Sequence, residues 1–188
     1  MAEAFSNQVA RAAGIVTSYS GSTVAAGSTA ITVTALTGIG VSFLVDNQHF
    51  IAGTKVVSTS AVSGGVGTVF TDRNSTNTSS ASSQTVKFLG PTTAYTSPAS
   101  TKSIIIGGTF ANNTNNSVNL SVEIYDSSVG VTSTGSVAIA SKIPVPSGSS
   151  FVISDTGKTL LEAGDEVRIY CDTDNGIDAS LSILTGVN

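Results

Sequence analysis

The chain contains no tryptophan, one cysteine, one histidine and four prolines in 188 residues. The lone Cys171 excludes an intrachain disulfide and every multi-cysteine metal site. The lone His49 removes most histidine-based catalysis. Four tyrosines and no tryptophan leave few of the aromatic platforms on which sugars stack. Charge is scarce too: 11% of residues are Asp, Glu, Lys or Arg, against about 25% in an ordinary soluble domain. The basic residues Arg11, Lys55, Arg73, Lys87, Lys102, Lys142, Lys158 and Arg168 are scattered. Nucleic-acid surfaces cluster such residues, so none is expected. No apolar run of about 18 residues occurs, which predicts no membrane-spanning helix. Met1 to Ala13 has no apolar core of signal-peptide type, which points to synthesis in a cytoplasm.

What the chain has instead is hydroxyl and glycine: 30 Ser, 25 Thr, 19 Gly and 11 Asn. These are weak helix formers, whereas Thr and Val suit strands. With 40% hydrophobic residues the chain can still bury a core, so a charged disordered tail is excluded. The composition reads as all-β. The net charge is −4, and nine of the twelve acids lie at or beyond Glu123.

Three regions separate along the chain. Residues 1–13 form an N-terminal arm, where Phe5, Val9, Ala12 and Ala13 fall on one face of a short helix. Such a helix is marginal alone. It either frays or orders against a partner subunit, with Phe5 as anchor, Val9 beside it and Arg11 at the polar rim. Residues 14–89 form a small β module, with strands expected around Ile31–Ala35, Val41–Val45, Thr54–Ser60, Gly67–Thr71 and Thr85–Leu89. Asn74–Ser83 has no large apolar residue and reads as a loop or linker.

Residues 90–188 alternate more strictly. Val118, Leu120, Val122 and Ile124 share one strand face, and Asn119, Ser121, Glu123 and Tyr125 share the other. Lys102–Phe110, Val137–Val145, Ser150–Ser154, Glu166–Asp172 and Ala179–Leu184 supply further strands. Asn175-Gly176 is the signal of a type I′ hairpin. Short strands with one apolar face and frequent turns predict a β-sandwich or jelly-roll-like domain.

The segment Gly27–Ser58 carries Ile31-Thr32-Val33, Thr37-Gly38-Ile39, the apolar Val41–Val45 and Ile51-Ala52-Gly53-Thr54-Lys55-Val56. In that order these resemble a module of tail-fibre and other virion proteins of tailed phages. Gln48-His49-Phe50 stand where that module has Gly and Pro. Tyr95-Thr96-Ser97-Pro98, Asn119–Tyr125, Ile143-Pro144-Val145-Pro146 and Leu161-Glu162-Ala163-Gly164-Asp165 are similar in order to small β-sandwich structural proteins of phages, especially those of marine cyanobacteria. The resemblance implies a virion structural protein of head, neck, tail or fibre.

Four patterns invite chemistry. Asp172, Asp174 and Asp178 surround a glycine turn, as oxygen ligands of calcium would, but the EF-hand's distal Glu and flanking helices are missing. Gly157-Lys158-Thr159 imitates the end of a phosphate loop, yet Val152 stands where its first glycine belongs. His49 has no G-x-S-x-G elbow to serve. Glu123, Asp126, Glu162, Asp165 and Glu166 offer carboxylates for a glycosidase pair without the accompanying aromatics. Cys171 is in phase with Val167 and Ile169 and reads as core. No catalytic residue, metal or cofactor is therefore expected.

The expected function is non-enzymatic: a phage virion subunit that contacts other virion proteins and copies of itself, with three-fold or higher cyclic symmetry. The alternative is an adhesin-type module of a phage fibre that binds the host surface.

Overall fold

The computed structural model describes residues 3–62, 64, 66–129 and 135–187, and the backbone alone of residues 154–158. They form fourteen strands: β1 Ala4–Ala13, β2 Ile15–Val24, β3 Ala30–Val33, β4 Leu44–Asp46, β5 Val56–Ala61, β6 Gly67–Thr71, β7 Ala81–Gly90, β8 Thr92–Thr96, β9 Lys102–Asn112, β10 Val118–Tyr125, β11 Ser136–Val145, β12 Ser150–Leu161, β13 Glu166–Cys171 and β14 Ile177–Val187. The protein is all-β and its strand pairings are antiparallel. No helix among the described residues is long and apolar enough to cross a membrane.

Two compact units divide the chain, one of residues 3–15, 91–129 and 135–187, the other Val16–Gly90. The first is a β-sandwich of two four-stranded sheets, ordered β1-β14-β9-β12 and β11-β10-β13-β8. Its core takes every second residue of each sheet. Val118, Leu120 and Val122 of β10 and Val167, Ile169 and Cys171 of β13 are buried against Phe110, Ile177, Leu181 and Ile183 of the other sheet. Phe110 lies directly opposite Phe151, with tilted rings 6.3 Å apart, a contact worth about 0.5–1.5 kcal/mol beyond its area.

The second unit is a six-stranded sheet, β4-β7-β2-β3-β6-β5, with its own core of Val24, Ile31, Val33, Val45, Phe50, Val56, Val69, Val86 and Phe88. Ile31 and Val33 turn inward while Thr32 and Thr34 stay exposed, as the alternation predicts.

Four expectations require correction. The N-terminal arm is not a helix: β1 pairs with β14 from Ala4↔Thr185 to Ala10↔Ala179. Phe5 and Val9 also alternate with Ser6 and Gln8, and an edge of β14 satisfies the backbone that a short isolated helix would leave marginal. The arm is thus ordered on its own chain, as part of the sandwich. In the Val41–Val45 segment only Leu44 and Val45 are strand, within β4, and Ser42 has a φ of 70°.

The Asn74–Ser83 segment is not a free linker. Ser75 is buried, its Oγ donating to the Ala25 carbonyl at 2.6 Å, and Asn77 Nδ2 donates to the Val24 carbonyl at 3.2 Å. Small polar residues here serve as backbone partners for the β2–β3 connection, which composition alone could not reveal. Finally, Asn175-Gly176 closes no hairpin. It links β13 to β14, which belong to different sheets. Asn175 has a φ of 54°, and Gly176 is needed for close approach, since a Cβ there would lie 3.1 Å from Cys171 Sγ. The sequence reading also overlooked β2 and β8 as strands.

Candidate functional site

Directly opposed residues of neighbouring antiparallel strands point to the same side of a sheet. In the β1-β14-β9-β12 sheet this register builds rows on the face turned away from the core. One row is Phe5–Leu184–Ile104–Leu160. Another is Val9–Ser180–Thr109–Val152. Between them run Asn7, Ser182 and Gly107.

An antiparallel sheet with one wet face normally alternates apolar inside and polar outside. Here the wet face is itself apolar in stripes. Phe5 is 77% exposed, Val9 71%, Val152 52% and Leu160 46%. Ile106, the extra residue where β9 shifts register against β14, is exposed beside them. Phe5, Asn7, Ile106 and Ser182 line a hollow of about 360 Å³. Val9, Arg11, Thr109 and Ser180 line a second of about 340 Å³. Exposed large side chains rarely gather on a monomer unless something covers them. The structure therefore brings Phe5, Val9 and Arg11 onto one exposed strand face, through a two-residue period rather than a helical one.

Sequence reasoning missed Ile104, Ile106, Val152, Leu160 and Leu184 on this face. A signal was present. Ile104-Ile105-Ile106 are consecutive, and three neighbours in a strand cannot all face one core. Only Ile105 is buried.

The acidic candidates are engaged in structure. Asp172 Oδ1 accepts the Asn119 N–H at 2.9 Å and its Oδ2 accepts Asn119 Nδ2 at 2.8 Å. Asp178 Oδ1 accepts the Ala12 N–H at 2.7 Å, at the bulge of β1. Asp174 is exposed at the turn. Among the described residues, no three His, Cys, Asp or Glu side chains gather as metal ligands. Asp165 bridges Ser127 N at 3.0 Å and Glu162 N at 2.9 Å, closing the turn before β13. The Ser128 hydroxyl and N–H hold the Asp126 carboxyl below its ordinary value. Glu162 pairs with Lys102 at 3.0 Å.

Glu123 is buried, opposite Arg168 in the β10–β13 register. The Arg168 guanidinium lies 3.5 Å from the Tyr125 ring centre and its Nε donates to Glu166 at 2.8 Å. Burial first, and the Glu123 charge second, push the Tyr170 phenol well above its usual range. Burial likewise raises the Cys171 thiol, which sits in the core. His49 holds the Thr76 N–H through its carbonyl at 2.8 Å. Thr159 of the Gly157-Lys158-Thr159 motif lies in strand β12, without a following helix. The Lys158 side chain falls outside the described residues.

Comparison with known proteins adds no assignment: no family model, curated protein or solved structure matches the chain.

Proposed function

We propose that this chain is a non-enzymatic structural protein of a tailed-phage virion, docked among other subunits through the outer face of β1-β14-β9-β12. The observation that carries docking is the outward-facing apolar row Phe5–Leu184–Ile104–Leu160, exposed at Phe5 and Leu160 and half-buried at Leu184 and Ile104, with exposed Val9 and Val152 beyond it. Covering one Phe or Val side chain contributes about 1.5–3 kcal/mol, so one row can hold a subunit in place. The scarcity of charge, 11% of residues, suits surfaces that neighbours cover. The phage assignment itself rests on the motif order in Gly27–Ser58 and in the sandwich strands. The test is the double variant Phe5→Ser, Val9→Ser, expressed in infected cells alongside the native chain. It should fold, stay soluble and enter particles in reduced copy number. Incorporation equal to the native chain would overturn the proposal.

A further inference from the structure

Strand β1 is an outer strand of its sheet, and it differs from the other outer strands. β4 has three residues. β8 has five and lies between Pro91 and Pro98. β5 shifts register between Val56 and Ser58, and β11 twice between Leu120 and Glu123 of its partner. β12 places the five-residue step Ser154 to Thr159 against the two-residue step Gly107 to Ile105. Short length, proline and bulges are the devices that keep sheet edges from pairing. β1 has none of them from Ala4 to Ala10, where seven consecutive residues hold an unbroken register. It also contains neither Lys nor Pro.

The same strand reads as its own complement. Its outer face carries Phe5, Asn7 and Val9, with Glu3 just before the strand and Arg11 at the start of its bulge, and all five are exposed. Turned antiparallel about Asn7, this series sets Glu3 opposite the partner's Arg11, Phe5 opposite the partner's Val9, and Asn7 opposite the partner's Asn7. Acid meets base and apolar meets apolar, twice over by symmetry, as an isologous interface requires. The backbone is in phase. The Ala4 carbonyl accepts Thr185 Oγ1 at 3.2 Å, which turns the even-numbered residues toward β14. The odd-numbered residues then direct their N–H and C=O groups to the open edge, where this register needs them.

We infer that β1 pairs with β1 of a second copy of this chain, antiparallel and centred on Asn7, which joins two sheets into one of eight strands. The two outer faces then run on into each other, the Phe5 row of one copy meeting the Val9 row of the next. The inference deepens the docking reading above and rests on it for its place in the particle. It replaces the cyclic symmetry of three or more expected from composition with a two-fold at this contact.

Sedimentation equilibrium of the chain at micromolar concentrations should give twice its 18.8 kDa mass. Arg11→Glu alone and Glu3→Arg alone each set like charges opposite one another and should give monomers. The double variant Glu3→Arg, Arg11→Glu should restore the dimer. As a check independent of charge, Asn7→Cys should form a crosslinked dimer under mild oxidation, because Cys171 is buried. A monomeric native chain, or a double variant that stays monomeric while Asn7→Cys fails to crosslink, overturns the inference. If the native chain is monomeric while Phe5→Ser, Val9→Ser still lowers incorporation, the edge pairing fails and docking stands. If the charge swap restores dimers while incorporation never changes, docking fails and the edge pairing stands.

Discussion

Asp172 and Asn119 hold each other from both ends. The carboxylate takes the Asn119 N–H at 2.9 Å and its side-chain amide at 2.8 Å, while the Asn119 carbonyl takes the Asp172 N–H at 3.2 Å. The acid that sequence offers as a calcium ligand is thereby tied to the β10–β13 pairing, just before the chain crosses to the other sheet. Asp172→Ala strands a backbone donor and removes charge-assisted hydrogen bonds, at a cost of about 1–3 kcal/mol. For a chain of this size that lowers Tm by about 2–4 °C per kcal/mol. Thermal unfolding of the variant checks it. The same experiment on the native chain with a chelator should leave Tm in place, and a fall of about 5 °C or more would restore the calcium reading.

Tyr170 gives the stability a pH dependence on the alkaline side. Its phenol is buried beside Glu123, so the folded state holds the proton well above the ordinary value of 10.0. A raised acid contributes stability that is complete below the unfolded value and is lost as pH rises past it. Unfolding midpoints should therefore be flat with respect to this group up to about pH 10 and fall above it. In an ultraviolet titration, the Tyr170 phenol should ionise only together with unfolding. Tyr170→Phe should flatten the alkaline limb. A variant that leaves that limb unchanged would contradict the assignment.

Gly14 marks the end of β1. Its φ is 126°, and a Cβ there would overlap the Thr173 carbonyl oxygen. Its own carbonyl accepts the Asn175 N–H at 3.0 Å. Gly14→Ala must move backbone rather than a flexible side chain, at a cost of about 1–3 kcal/mol from the φ value alone. Chemical denaturation should show the loss with an unchanged slope.

The sandwich was legible because its strands alternate: in β10 the apolar Val118, Leu120 and Val122 face the core, although Ser121, Glu123 and Tyr125 on the other face are buried as well. Where side chains carry weaker contrast, the reading failed. β2, with the sequence IVTSYSGSTV, has hydroxyls on both faces and no alternation to find. The Phe5–Val9 spacing of four residues fits a helical turn and two strand periods alike, and only the availability of β14 decides between them. Non-local pairing of this kind, between residues 4–13 and the last strand, leaves no mark in a local window. The exposed face was half visible. Phe5, Val9 and Arg11 stood out through a helical stripe near the terminus, whereas Ile104, Leu160 and Leu184 carried no signal of their own because their strands also bury apolar residues.

Under the proposed function, neighbouring subunits of a virion cover the Phe5–Leu184–Ile104–Leu160 row. A near-atomic density map of the assembled particle tests it most directly. All four side chains should contact adjacent subunits, with Val9 and Val152 covered as well. A map in which this face of the sheet looks into solvent, in a particle that contains the protein, would contradict it.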